Sequence, residues 1–324
     1  MTAHNNLHSL LFQTTSAEYI ALCVQTYQLA RHIILERLAE GTYRKPAIVF
    51  DLDETILDNS PYQKWQIVSG SNFDEKTSWR EWCEASEAGA VPGAVEFVRF
   101  ASERNITPIF ITSRENVTRK GTAKNLHALG LISDSELSKE LEYSNHPDRL
   151  QTHAMQTRLF MKGMGEVAVS LPNEKKTYNL EGKFDQRVFC ERVLGYEIAF
   201  SIGDNLGDYA EYYGRIFDKD GNRADGHPTV KGRRAAVWQD VRLFGHEFLL
   251  VPNATYGSWL RALEGNDLGA SDELAGTGEP VRMPLEEPQQ PFHYGAIKPA
   301  DAKGSKLDAI PGQWYPKKKH PKKK

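Results

Sequence analysis

The chain has 324 residues, 40% hydrophobic and 26% charged, which is a globular balance with apolar material for one large domain or two modest ones. Its net charge of −3 implies no nucleic-acid or acidic-membrane partner, and because six lysines fall in the stretch 316–324 the body is more acidic than the total suggests. No run reaches the ~18 apolar residues of a membrane span, and Cys23, Cys83 and Cys190 form no CxxC pair, so a zinc site or disulfide framework is not indicated and three buried thiols are expected.

The opening residues, MTAHNNLHSLLFQ, hold neither a basic n-region nor an apolar stretch of signal-peptide length, and as written the chain reads as cytoplasmic. Thr15, Ser16, Ala17 and Glu18 match a capping box. Beyond it Ile20, Val24, Tyr27, Ile34 and Leu38 recur at near-helical spacing, which predicts one long amphipathic helix to about Glu40. Five short apolar runs follow, at 47–50, 108–111, 167–171, 198–202 and 248–251, with helical patterns near 93–103, 115–129, 184–194 and 205–217. Strand–helix alternation of this kind predicts an α/β fold, a parallel sheet covered on both faces, with ligands at the carboxyl ends of the strands. After residue 264 apolar periodicity ends, and 265–324 is expected to be a disordered tail with a lysine-rich end.

The residues that follow each strand carry the chemistry. Asp51-Leu52-Asp53-Glu54-Thr55 puts two carboxylates on one side of an extended chain, where a hard cation such as Mg²⁺ relieves their repulsion. Taken alone, the pattern also fits a polar turn. The second strand ends in Ile111-Thr112-Ser113-Arg114, and a hydroxyl with backbone N–H groups at a helix start suits a phosphate as well as a plain cap. The fourth ends in Gly203-Asp204-Asn205-Leu206-Gly207-Asp208, where a helix would set Asp204 and Asp208 one turn apart, as half of a metal site. Lys183 precedes a predicted helix although a cation opposes the dipole there, a local conflict that a bound phosphate would offset; Lys175 and Lys176 compete for that role.

In this order, DLDET, the Thr of ITSR, a lysine and GDNLGD resemble the four motifs of the haloacid dehalogenase (HAD) superfamily. More narrowly the chain resembles the class C nonspecific acid phosphatases, the lipoprotein e-like family, in QTTSAEYIAL, KPAIVFDLDETILDNSPYQKWQ, WREWCEASEAGAVPGAVEF, GYEIAFSIGDNLGDY and LVPNATYGSW, over residues 10–263. The resemblance implies a HAD-like Rossmannoid core over 46–264 with a small helical cap inserted around 60–95, to which the N-terminal helix of 1–45 contributes. It implies a Mg²⁺-dependent acid phosphatase acting through an aspartyl-phosphate: Asp51 as nucleophile, Asp53 as general acid and base, and Asp51, the Asp53 carbonyl and Asp204 on the metal. Thr112 and Lys183 would hold the phosphoryl oxygens, Asp208 would orient a water or Lys183, and Ser113 stands where the family commonly has Asn. Trp79 and Tyr256 match positions that sandwich a substrate ring, which favours 5′-nucleotides and aryl phosphates; Tyr62, Trp65, Phe73, Trp82 and Trp259 fit either such a slot or core packing. Family members are usually exported, often as lipoproteins, whereas no signal peptide or lipobox cysteine is seen here. A phosphotransferase using the same intermediate, and a protein whose basic tail binds nucleic acid or an anionic surface, are the rival readings. The expected partner is a small phosphate monoester, with no nucleic acid, and a homodimer is left open.

Overall fold

A strand buried on both faces needs apolar side chains at every position, and residues 47–50 read AIVF. In the computed structural model, which describes residues 6–41, 43–171, 174–213, 216–217, 223–224 and 229–264, this run is the central strand of the sheet. The tail 265–324 lies outside the described residues.

The chain starts with two helices, α1 (Leu7–Thr15) and α2 (Ala17–Ala39), then β1 (Pro46–Phe50) and the short β2 (Leu57–Asp58). Helices α3 (Ser60–Ser69) and α4 (Ser78–Ala85) follow, and β3 (Gly89–Ala90) pairs antiparallel with β2 to close this insertion. Next come α5 (Ala94–Ser102), β4 (Thr107–Glu115), α6 (Arg119–Ala128), α7 (Asp134–Asn145), α8 (Leu150–Ala154) and β5 (Leu159–Lys162). An antiparallel hairpin of β6 (Glu166–Leu171) and β7 (Glu174–Asn179) leads to α9 (Lys183–Arg192) and β8 (Glu197–Gly203). The chain continues through the two-residue pair β9 (Ile216–Phe217) and β10 (Arg223–Ala224) to α10 (Val230–Gln239), β11 (Phe248–Leu250) and α11 (Ser258–Glu264).

The main sheet is parallel, in the order β11-β8-β1-β4-β5. Phe50 pairs with Phe110 on one side and Ile202 on the other, so the residues just beyond each lie along one edge. Phe97 on α5 packs within 6.5 Å of the rings of Tyr27, Phe50, Phe100 and Phe200, joining α2 and α5 to the sheet. The insertion is seated closely on the core. A Cβ on Gly121 of α6 would come within 2.3 Å of the Cys83 carbonyl oxygen and 2.5 Å of the Glu84 Cα, so α4 and α6 touch backbone to backbone. All three cysteines are buried and free. Among the described residues no helix is long and apolar enough to cross a membrane.

Four local expectations are corrected. The run 167–171 joins the antiparallel hairpin, and the fifth strand of the sheet is instead β5, the short run LFMK. Among the described residues of 205–217 there is no long helix but two 3₁₀ turns, Leu206–Asp208 and Glu211–Tyr213. The capping box is absent because Thr15 still belongs to α1, its hydroxyl bonded to the Leu11 carbonyl, and Ser16 caps α2 by accepting from the Tyr19 N–H. Finally, α2 buries Tyr19, Cys23, Tyr27, Ala30, Ile34 and Arg37, leaving Ile20 and Val24 exposed. That face is chosen by its anchors: the Tyr27 hydroxyl donates to the Thr55 carbonyl, and Arg37 donates to the Ala199 and His246 carbonyls.

One buried ionic cluster ties the helical layer to the edge strand. Arg119 at the start of α6 donates to Glu140 on α7 and to the Leu159 carbonyl at the start of β5, while the Thr157 hydroxyl donates to Glu140. Nε2 of His153 on α8 lies 3.2 Å from Glu140, and its ring stacks on Tyr143. Burial pushes the Glu140 carboxyl up, but Arg119, His153 and Thr157 outweigh it and bring it down from 4.5 to about 2. A carboxyl depressed on folding stabilises the folded state above its unfolded pKa and ceases to do so as pH falls through the folded value. Wild type is therefore expected to lose stability from about pH 4.5 toward about pH 2 with a slope to which Glu140 contributes. Glu140→Gln, which leaves Arg119 uncompensated, is expected to cost about 3–5 kcal/mol at neutral pH and to flatten that slope. Urea unfolding of both proteins at several pH values checks this, and parallel pH dependences would contradict it.

Candidate active site

The carboxyl edge of the sheet gathers the acidic residues by register. Asp51 follows β1 directly, and its N–H donates to the Ile202 carbonyl at 2.9 Å, extending the ladder by one residue. The chain then turns sharply: the Leu52 carbonyl accepts from the N–H groups of Thr55, Ile56 and Leu57, and Glu54 adopts a left-handed φ of 57°. The buried Glu54 carboxyl holds this turn by accepting from the Asn59 N–H and side-chain amide and from Gln63. Burial, and then the nearby Asp53 charge, pushes its pKa well up.

Asp204 and Asp208 follow β8, and with Asp51 they bring one carboxylate oxygen each within 4.8 Å of one another. The 3₁₀ turn achieves this by folding Asp208 back over Gly203, with the Asp208 carboxylate accepting from the Asn205 N–H at 2.9 Å. A Cβ on Gly203 would meet that carboxylate at 2.5 Å and the Asp208 Cβ at 2.8 Å, so the position requires glycine. Asp204 accepts from the Asn253 amide at 2.7 Å.

Lys183 is the first residue of α9, and its ammonium donates to Asp51 and, at 2.8 Å, to Asp208. Lys175 and Lys176 lie exposed on β7, so of the three lysines Lys183 alone bonds to the carboxylates. The helix is pinned next to the crevice. Gln186 donates to the Met161 and Leu180 carbonyls, and Arg187, one turn beyond Lys183, donates to the Asp208 and Tyr209 carbonyls. Two charge-assisted bonds outweigh the ~0.3–1 kcal/mol cost of a cation at a helix N-terminus. Burial disfavours the ammonium, but Asp208 and Asp51 reverse this and hold its pKa above the usual lysine value.

Asp53 has a different environment. One of its oxygens, Oδ1, accepts from Arg114 Nε at 2.9 Å, Arg114 Nη2 at 2.8 Å and Asn59 Nδ2 at 2.9 Å. Thr112 is buried beside it and accepts from the Arg114 N–H at 3.1 Å. The helix expected from 115, after Arg114, starts slightly later: β4 runs on to Glu115 with an irregular register, a 3₁₀ turn spans Asn116–Thr118, and α6 begins at Arg119. Ser113 therefore faces out and is exposed, while Thr112 and Arg114 face in. Trp79 on α4 packs on Tyr62 and Phe73, with the Arg114 guanidinium 5.4 Å from its ring. Tyr256 lies in the loop after β11, its N–H directed at the same Asn253 that holds Asp204. No ring contact joins Trp79 to Tyr256 among the described residues.

The donor set fits a hard divalent cation. Asp51, Asp204 and Asp208 share one crevice with a single ammonium, and burial, followed by their mutual repulsion, raises the pKa of Asp204 well above the carboxylate range. Asp51 is raised too, by burial against the opposing pull of Lys183. Carboxylate oxygens with this excess of negative charge suit a Mg²⁺-like ion. The Asp53 carboxylate is outside the triplet, and its Oδ1 faces Arg114. Sequence reasoning did not single out Arg114, Asn59, Asn253 or Arg187 for the site. All four lie in or near the motifs, but nothing in a one-dimensional pattern signals that a charged or amide side chain will be buried.

A family model described as HAD superfamily, subfamily IIIB (Acid phosphatase), matches residues 2–259. The chain is similar to the class C acid phosphatase from Bacillus anthracis in two solved structures. One has tungstate bound, with a TM-score of 0.59, and the other has a TM-score of 0.60; in both the identity is 26% over 84% of this chain and 94% of that one.

Gly203→Ala is expected to displace Asp208 and weaken binding of a divalent cation by about tenfold, since a ligand cluster is sensitive to the residues that orient it. Calorimetric titration with Mn²⁺ reads the effect, with circular dichroism to verify the fold. Unchanged affinity would show that the cluster does not depend on this contact.

Proposed function

This chain belongs to subfamily IIIB of the HAD superfamily, the acid phosphatases, and we propose that it hydrolyses phosphate monoesters by two displacements at phosphorus with Asp51 as the nucleophile. The observation that carries this reading is the division of labour between two carboxylates two residues apart: Asp51 bonded to Lys183, and Asp53 bonded to Arg114. In the first displacement an Asp51 oxygen bonds to phosphorus and the P–O bond to the leaving group breaks. The leaving oxygen keeps that electron pair and takes a proton from Asp53. In the second, water attacks phosphorus and gives a proton to Asp53, and the bond to Asp51 breaks. Ester and water thus become alcohol and inorganic phosphate.

The Thr112 hydroxyl and the Lys183 ammonium are the groups we assign to the non-bridging phosphoryl oxygens; the ammonium has three donors, so it can serve an oxygen as well as the two carboxylates. Asp51, Asp204 and the Asp53 carbonyl are the ligands we assign to Mg²⁺, with Asp208 next to them, and the bound ion would supply charge neutralisation at the phosphoryl group. That the Bacillus anthracis enzyme was solved with tungstate bound supports a site that accepts an oxyanion.

The proposed substrates are 5′-nucleotides and aryl phosphates. Trp79 lies on the Arg114 side of the crevice and Tyr256 on the Asp204 side, which supports a ring held between them. Asp51→Asn is expected to lower turnover of 4-nitrophenyl phosphate by about a thousandfold or more, and to abolish acid-stable labelling by a ³²P-monoester in rapid-quench experiments. Near-normal turnover in the purified variant would remove the aspartyl-phosphate reading. Trp79→Ala and Tyr256→Ala are expected to lower kcat/KM for a 5′-nucleotide by about 5- to 150-fold, the worth of stacking on one base, while glycerol phosphate is little affected. Equal losses on both esters would mean that the two rings only support the fold.

A further inference from the structure

We propose that Arg114 is the positioning residue of Asp53, fixing which oxygen of that carboxylate exchanges the proton. The inference rests on the reading of Asp53 as the group that protonates the leaving oxygen. Its basis is an asymmetry in the hydrogen bonds. Three N–H donors, two from the Arg114 guanidinium and one from Asn59, converge on Oδ1. Among the described residues, Oδ2 has no hydrogen-bond partner. An oxygen whose lone pairs are occupied by three donors is a poor place for a proton, so the proton is carried by Oδ2.

The guanidinium is itself immobilised. Its side chain is 1% exposed and also donates to Asn59 Oδ1 at 3.2 Å and Thr122 Oγ1 at 3.3 Å. Asn59 in turn accepts from the Trp82 indole at 2.7 Å, so its amide cannot flip without losing that bond. Turning the Asp53 carboxyl out of this orientation would break the three hydrogen bonds, and a half turn of the protonated group would set its O–H against the same three donors. Arg114 thus directs a single oxygen of Asp53 toward the crevice throughout the two steps. The strand makes this available: Thr112 and Arg114, two apart on β4, both face inward, one toward the phosphoryl group and one toward the acid.

The test separates leaving groups that need a proton from those that do not. Asp53→Asn should reduce kcat/KM strongly for glycerol phosphate, whose alkoxide must be protonated, and weakly for 2,4-dinitrophenyl phosphate. Arg114→Lys keeps the charge but loses the fork; it should cost about 100-fold on glycerol phosphate and less than about fivefold on the dinitrophenyl ester, within the range general acids contribute. In the Asp53→Asn background the same substitution should cost less than about threefold on either, because the acid it positions is gone. Equal losses on the two esters, or the same loss in both backgrounds, would overturn the proposal and make Arg114 a phosphate-binding or structural residue. If instead Asp53→Asn alone costs both esters equally, the reading of Asp53 as the acid fails, and this proposal fails with it. Should Arg114→Lys not fold, Asn59→Ala removes one of the three donors and should give the same selectivity at about tenfold; an unselective loss there would also overturn the proposal.

Discussion

The constraint on which the rest of this structure depends is the collection of negative charge, out of water, at one edge of a parallel sheet. Four aspartates converge there, because β1 and β8 end in register and each strand is followed at once by acidic residues. Carboxylates at such a place must be neutralised, hydrogen-bonded or protonated. The protein answers with two cations, one half-buried and one buried. Lys183 is brought in at the start of a helix that would otherwise disfavour it, and Arg114 is turned inward from β4. The remaining deficit of positive charge, at Asp51, Asp204 and Asp208, is what suits the site to a hard divalent cation. Much of the surrounding detail is subordinate to this: Arg187 and Gln186 keep α9 in place, Gly203 gives Asp208 room, and Asn253 holds Asp204.

How much of this could be read in advance depends on whether the physics is local. Asp51 and Asp53 at the end of a short apolar run were legible, because a strand's burial and its carboxyl edge follow from hydrophobic pattern alone. Lys183 was legible only as one of three lysines; it took the path of α9 to separate it from Lys175 and Lys176. The α2 stripe was misread at Ile20 and Val24, since its buried face is set by Tyr27 and Arg37 reaching carbonyls far away in sequence. The strand 159–162 was missed and 167–171 misplaced for the same reason. Both are short apolar runs, and only tertiary pairing decides which enters the sheet. Arg114 sat in a motif and was passed over, because its burial is a property of the β4 register and of Asp53 across from it.

The buried polar cluster of Arg119, Glu140 and His153 has a different logic from the aspartate crevice. It closes its own charges with hydrogen bonds from three helices and the edge strand, and so contributes to the specificity of packing more than to binding. The crevice leaves charge uncompensated and the cluster does not. That difference in charge balance, more than burial, distinguishes the crevice from the cluster.

The backbone contact at Gly121 has a consequence for how the molecule can change. Helix α4, which carries Trp79, lies so close to α6 that no side chain intervenes, and Ser86 adds a hydrogen bond to the Gly121 carbonyl. An insertion welded on in this way is not a hinged lid. Its aromatic rings are preorganised, so a ligand meeting them surrenders little freedom belonging to the protein. If the rings hold the substrate as proposed, exchanging one ring for another on fixed helices would change preference in single substitutions without disturbing the edge where the aspartates meet.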